Sequence, residues 1–193
     1  PNVNSSQSDF SVCPEGIRFG LLAIKNLGHG LIDRLIAERN QNGPFTSMYD
    51  FCLRSDGRDM NRRALEGLVK SGALDGLEQN RRQMLQNIDA VQAAVAERKR
   101  YTGGGQLDLF GDGQDSAAEF RMAPCEELSA TELLKMEKEV TGLYLSGHPM
   151  KNFEKYVNAL SLSRINSLTP ETVSDGQKVS LAAIVSSKKE KTT

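Results

Sequence analysis

Short glycine-containing turns between helical apolar patterns constrain the fold of this chain most. Apolar residues at helical spacing begin near Ile17 and stop at the turn Leu27-Gly28-His29-Gly30. They resume with Leu31 and continue to Ile36 at the same spacing. This order predicts a helix, a tight hairpin and a second helix.

A second unit of the same kind follows. Ser47 and Asn61 each stand where a residue type that caps helices precedes an apolar pattern. The turn Ser55-Asp56-Gly57 lies between the two predicted helices. The sequence therefore predicts a tandem helix-hairpin-helix domain over residues 17–78, within a mainly α-helical fold.

The longest predicted helix comes next and leads into a linker. Asn80 begins it, and residues 79–102 carry one apolar stripe at steps of four, three and four, formed by Met84, Ile88, Val91 and Val95. Residues 103–124 combine glycines and acidic residues without any periodicity, which predicts a flexible linker.

A further helical segment is predicted over residues 125–172. Ser129 and Glu132 form a capping box that begins a helix, and Gly147 and Pro149 are predicted to end it. The predicted apolar stripe of this helix is Leu133, Met136, Val140 and Leu143.

The pattern changes after Pro170. Alternate residues along KVSLAAIV are apolar or small, as in a strand, namely Val179, Leu181, Ala183 and Val185. One strand does not form a domain. Residues 173–193 are therefore expected to be the truncated start of a β-domain that continues beyond Thr193.

Composition excludes several classes of protein. No segment has the roughly twenty apolar residues of a membrane-spanning helix, and no secretory signal begins the chain. The three cysteines form neither a disulfide framework nor a zinc motif, which is typical of a reducing cytoplasm. His29 and His148 lack partners at metal-ligand spacing.

Charge is distributed unevenly along the chain, although the net charge is -1. Residues 17–63 contain eight Lys/Arg and five Asp/Glu, a balance of +3, whereas residues 111–139 contain three and eight, a balance of -5. A polyanion would favour the first of these regions. The alternative is scattered charge in contact with solvent.

The first turn has the form of a phosphate site. Small residues there let backbone N–H groups at a helix N-terminus approach a phosphate. Such a contact recognises the nucleic-acid backbone rather than the bases. The alternative is an ordinary glycine turn between packed helices. The predicted DNA-binding residues of both turns are Lys25, Asn26, Gly28, His29, Gly30, Arg34, Arg58, Asn61, Arg62 and Arg63. Asp56 and Asp59 would oppose contact at the second turn.

The linker contains the peptide QLDLF, residues Gln106, Leu107, Asp108, Leu109 and Phe110. Spaced apolar side chains in a flexible segment are typical of a peptide that docks into a preformed groove. The alternative is that they pack back onto their own domain as a small cluster.

Five segments of the chain, in order, resemble bacterial replicative C-family DNA polymerases, the DNA polymerase III alpha subunits. They are IRFGLLAIKNLGHG, GPFTSMYDFC, NRRALEGLVKSGALD, QLDLFG and EKEVTGLYLSGHPM. The resemblance implies that residues 1–16 end the fingers domain, that the hairpins hold duplex DNA and that Gln106 to Phe110 bind the sliding clamp. It also implies that Lys178 to Lys191 begin an OB-fold.

The same resemblance places catalysis elsewhere in the parent chain. Mg²⁺-dependent nucleotidyl transfer would belong to an upstream palm domain, so no catalytic residue, metal or cofactor is expected in this stretch. Other replicase subunits are expected partners, and a membrane is not. Two alternatives use the same hairpins differently: a nonspecific DNA-binding module of a repair enzyme, such as a ligase or nuclease, and a helical protein scaffold without DNA.

Overall fold

A computed structural model of the chain describes residues 1–14, 16–55, 57, 60–78, 80–103, 120–160, 162–185 and 188–191. The chain divides into two units, Pro1–Leu145 and Ser146–Thr193. The fold is mainly helical, as predicted. Five α-helices are described in the first unit: α1 (His29–Asn42), α2 (Met48–Arg54), α3 (Arg62–Lys70), α4 (Arg81–Gly103) and α5 (Ala130–Thr141).

The long helix α4 is the centre of the first unit. Its predicted stripe is confirmed, because Met84, Ile88 and Val91 are fully buried and Val95 is nearly so. α2 and α3 both pack against α4. Their own apolar residues complete a single core that also includes Leu31, Ile32 and Leu35 of α1. This core holds the turns that precede α1 and α3.

Side-chain caps begin three of these helices where the sequence predicts them. The Asp50 N–H donates to Ser47 Oγ at 3.0 Å, and the Ala64 N–H donates to Asn61 Oδ1 at 3.0 Å. The Gln83 N–H donates to Asn80 Oδ1 at 2.9 Å. Each bond satisfies an N–H group that has no acceptor within its helix.

The prediction of a helix that begins near Ile17 was wrong. Ile17 lies in an antiparallel hairpin of two strands, β1 (Ser11–Cys13) and β2 (Gly16–Arg18), where it pairs with Val12. Among the described residues before α1, the helical structure is one 3₁₀ turn, Leu21–Ala23. The N–H of Leu21 donates to Gln7 O at 2.9 Å, so these backbone groups bond to a distant segment instead of forming a helix.

Helix α5 has the predicted capping box but a different end and a different buried face. It ends at Thr141 because Gly142 takes the left-handed conformation, with φ 80°. Gly147 and Pro149 therefore lie beyond its end. The buried residues of α5 are Leu134, Glu137 and Val140, whereas Leu143 of the predicted stripe is exposed.

Glu137 is buried because Arg81 at the start of α4 pairs with it. Arg81 Nη1 lies 3.1 Å from Glu137 Oε1, and Arg81 Nη2 lies 2.7 Å from Asp75 Oδ2. Glu137 Oε2 also accepts a hydrogen bond from the Leu145 N–H at 2.8 Å. Burial lowers the pKa of Arg81, but the hydrogen bonds that it donates to Asp75 and Glu137, with their negative charge, outweigh burial and the net shift of the pKa is upward.

Glu127 covers the first turn of α4. Its carboxylate accepts hydrogen bonds from the N–H groups of Arg81 at 2.6 Å and Arg82 at 3.0 Å. Burial, the largest single effect, raises the pKa of Glu127, but these bonds and one from Leu128 together hold the pKa below its usual value. The segment after residue 119 is thus fixed to the start of α4.

The second unit contains short helical elements. They are α6 (Glu154–Ala159) and two 3₁₀ turns, Pro149–Phe153 and Ile165–Ser167. The prediction of a strand from Val179 to Val185 was wrong, because the described residues between 178 and 191 form no strand. A strand needs a ladder of backbone bonds, and here Ser180 O accepts one bond, from the Ser163 N–H at 2.9 Å. The OB-fold stays a prediction.

Within the described ranges, no helix is both long and apolar enough to cross a membrane.

Candidate nucleic-acid interface

The N-terminus of α1 is the first part of the candidate interface. Gly28 is its N-cap, with φ -94° and ψ 156°, and no side chain caps the helix there. The N–H groups of Leu31 and Ile32 both donate to Gly28 O, at 3.1 and 3.2 Å. By helix geometry, those of His29 and Gly30 have no intrahelical acceptor. This end of the helix therefore offers donors and the positive end of its dipole to an anion.

The glycines of this turn leave open space. A Cβ at Gly28 would meet no atom within 4 Å, and one at Gly30 would meet only Arg34 Nη1, at 3.8 Å. The backbone of Gly28 has a conformation open to any residue. Internal packing therefore does not require glycine at either position, whereas close approach of an external group would.

Arg34 brings the two turns together. Its Nη2 lies 3.9 Å from where a Cβ of Gly57 would be, and its Nη1 lies near Gly30. Arg34 is exposed on α1, one turn beyond the helix N-terminus. The tertiary structure thus places one guanidinium beside a glycine of each predicted hairpin.

The second turn contributes Asn61, Arg62 and Arg63, all exposed. Asn61 uses its side chain to cap α3. The guanidinium of Arg62 already forms ion pairs within the protein, with Glu66 at 2.8 Å and with Asp89. The hydrogen bonds that its guanidinium donates to Asp89 and Glu66 raise the pKa of Arg62. In the part of the chain that the structure describes, Arg63 makes no ion pair, so its charge is the more accessible one.

Lys25 and Asn26 precede the first turn. The ammonium of Lys25 donates to Glu139 O at 2.6 Å, so it is bonded to α5 rather than directed only to solvent. Asn26 is exposed and has a positive φ of 68°, which reverses the chain before Leu27. His29 is exposed as the first residue of α1.

Several predicted site residues lie outside the described residues. They are Arg58 and the whole peptide Gln106, Leu107, Asp108, Leu109 and Phe110, together with Asp56 and Asp59 of the second turn. Their roles stay predictions.

Among the described residues, no group of three or more His, Cys, Asp or Glu side chains could hold a metal ion. His148 instead accepts a hydrogen bond at Nδ1 from the Met150 N–H at 3.2 Å, as a turn residue does.

Gly67 is a residue that the sequence analysis missed. It is buried within α3, and a Cβ there would lie 3.1 Å from Lys25 O. Its signal in the sequence is a glycine inside a helical pattern, which costs stability and so indicates close packing. α3 therefore packs directly on the backbone of Lys25, two residues before the first turn.

Comparison with known proteins identifies the family. The family model for the helix-hairpin-helix motif matches residues 1–84, which include both turns and the starts of α1 and α3. The chain is also 38% identical over 192 residues to the DNA polymerase III subunit alpha of Borreliella burgdorferi, which covers 98% of this chain and 17% of that protein.

Two further relatives agree. The chain is 39% identical over 164 residues to the DNA polymerase III subunit alpha of Deinococcus radiodurans, covering 83% of this chain and 12% of that protein. It is 35% identical over 181 residues to that of Xylella fastidiosa, covering 92% and 15%. The chain thus spans less than a fifth of the length of these relatives. With the helix-hairpin-helix match and this similarity along most of its length, the chain belongs to the DNA polymerase III alpha subunit family.

Proposed function

We propose that this chain is the part of a DNA polymerase III alpha subunit that holds duplex DNA without sequence preference and binds the sliding clamp. The observation that carries DNA binding is the open N-terminus of α1, with no side-chain cap and no atom within 4 Å of a Cβ at Gly28. N–H groups of His29 and Gly30 would donate to a phosphate oxygen. Because every nucleotide carries the same phosphate, such contacts position the protein without reading bases.

Arginines support the same role. Arg34 lies beside both turns, and Arg63 is exposed at the start of α3. Guanidinium groups bind phosphates with charge-assisted hydrogen bonds. Arg62 would join them only after exchanging Asp89 or Glu66 for phosphate.

A salt titration of duplex binding tests this function. We expect log affinity to fall linearly with log salt, with a slope of about -2 or steeper, because each neutralised phosphate contributes about -0.9. Two unrelated duplex sequences should bind equally. Fluorescence anisotropy between about 50 and 200 mM salt measures both. No binding at the lowest salt would contradict the proposal and favour a scaffold without DNA.

Clamp binding is assigned to the peptide Gln106 to Phe110. The supporting points are its apolar pattern and the family to which the chain belongs. A second contact linked to the DNA contact would make rebinding intramolecular, so modest affinities would give a long residence on DNA.

Replacing Gln106, Leu109 and Phe110 with alanine should reduce binding to the clamp ring by at least about a hundredfold, because a few buried side chains carry most of the energy of such contacts. Duplex affinity should not change. Surface plasmon resonance against the clamp measures the effect, and Gln114→Ala in the same segment is the control. Unchanged clamp binding, with a lower thermal midpoint, would instead favour a peptide packed on its own domain.

In this proposal the chain supplies no catalytic residue. Nucleotidyl transfer and its Mg²⁺ belong to the rest of the parent enzyme, so we derive no chemical step from these residues. The same assignment implies that other replicase subunits are binding partners and that the protein lies in the cytoplasm. The polymerase names of the relatives favour it over a repair enzyme.

A further inference from the structure

Lys25 lies where the first turn meets the end of α5. Its main-chain N–H donates to Val140 O at 2.8 Å, and its ammonium donates to Glu139 O at 2.6 Å. Both carbonyls belong to the last turn of α5, where C=O groups have no donor within the helix. Lys25 thus satisfies two of them and brings positive charge to the negative end of the helix dipole.

Helix α3 approaches the same residue. A Cβ at Gly67 would lie 3.1 Å from Lys25 O and 3.5 Å from Cγ2 of Ile24. The first distance is closer than ordinary van der Waals contact, so glycine lets α3 pack directly on the backbone of Lys25. Two helices therefore contact the backbone of Lys25.

The path from Lys25 to α1 is short and constrained. Asn26 has a positive φ of 68°, and Leu27 is buried with 8% of its surface exposed. Gly28 then begins α1. The position of the Lys25 backbone therefore sets the direction in which the N-terminus of α1 points.

α5 is in turn attached to the rest of the unit. Glu137 pairs with Arg81 at the start of α4, and Glu139 Oε1 lies 2.8 Å from Lys70 Nζ at the end of α3. The helix that binds Lys25 is thus itself held by ion pairs to α3 and α4.

We propose that Lys25 is a positioning residue of the DNA site rather than a phosphate ligand. By its bonds to Glu139 O and Val140 O it orients the N–H groups of His29 and Gly30 toward the duplex. This inference rests on the proposed function of the α1 N-terminus. It replaces the expectation that the Lys25 ammonium contacts DNA.

Salt dependence separates the two roles in the full 193-residue chain. We expect Lys25→Ala to weaken duplex binding about tenfold at every salt concentration and to leave the salt slope unchanged, because a charged hydrogen bond is lost but no phosphate contact is. Lys25→Arg should restore most of the affinity, since a guanidinium also donates to a carbonyl. Lys135→Ala, an exposed lysine on α5, is the control.

Amide resonances provide a readout that does not need DNA. In Lys25→Ala, those of His29 and Gly30 should shift, whereas Lys135→Ala should leave them in place. Gly67→Ala keeps every charge and should shift the same resonances, because its Cβ would press on Lys25 O. It should also weaken binding without changing the salt slope.

Defined results would overturn the inference. A slope that becomes shallower by about 0.9 in Lys25→Ala, with the His29 and Gly30 resonances unmoved, would identify a phosphate contact. Gly67→Ala with unmoved resonances and unchanged affinity would also overturn it. If the unsubstituted chain binds no duplex, the proposed function fails, and the resonances alone then decide whether Lys25 positions the turn.

Discussion

Replacing Arg81 with methionine is expected to lower the free energy of unfolding by about 3–5 kcal/mol, the cost typical of breaking a buried ion pair by removing one partner. The Glu137 side chain is only 1% exposed, so its carboxylate would be left in the core with the Leu145 N–H as a donor. Asp75 is 47% exposed and would regain water instead. Urea unfolding measures the change.

The neighbouring arginine provides the control. Arg82 is exposed, and its backbone N–H donates to Glu127 as that of Arg81 does. Arg82→Met should therefore change stability by no more than about 0.5 kcal/mol. The double substitution Arg81→Met with Glu137→Leu should recover part of the loss, because an apolar pair replaces the isolated charge. Equal stability of the Arg81 and Arg82 variants would contradict a role for the buried pair.

Replacing Gly28 and Gly30 with glutamate is expected to weaken duplex binding by about a hundredfold, roughly 3 kcal/mol, since like charges placed against each other cost several kcal/mol. The two carboxylates would occupy the open space through which a phosphate approaches. The fold should be retained, because the added Cβ atoms meet nothing closer than Arg34 Nη1 at 3.8 Å. Anisotropy titration measures affinity, and circular dichroism checks the helices.

Two further variants separate charge from size. Gly147→Glu adds a carboxylate at another open glycine, in the second unit, and should leave duplex affinity unchanged. Gly28→Ala with Gly30→Ala adds only methyl groups, so any loss of duplex affinity shows how closely the phosphate approaches the backbone of the turn. Duplex binding by the glutamate variant at the affinity of the original chain would remove the first turn from the interface.

Much of the helical architecture was predictable. Ser47, Asn61 and Asn80 cap the helices that follow them, and Ser129 with Glu132 forms the capping box of α5. These bonds join residues three apart, so neighbouring residues are enough to specify them. The apolar stripe of α4 was predictable for a similar reason, since its helical period appears directly in the order of residues.

The errors share a physical cause as well. Ile17 was assigned to a helix, but it lies in a strand paired with Val12. The predicted stripe of α5 was right at Val140 but wrong at Leu143, which is exposed, and it lacked Glu137, a residue type that is rarely buried and is here buried against Arg81. In both cases the structure depends on a partner residue that the helical spacing of apolar residues does not indicate: Val12 for Ile17, and Arg81 for Glu137.

The proposed DNA site shows the same division between local and distant contacts. Its residue types and the glycine turns were apparent in the sequence, yet two features depend on packing: Arg34 beside both turns, and Lys25 bonded to α5. Lys25 and Glu139 are 114 positions apart. Local order of residues thus specified where helices begin and which motifs are present, because those interactions span a few residues. Contacts between distant segments depend on how the helices pack, and only the folded chain revealed that Arg34 lies beside both turns and that Lys25 is bonded to α5.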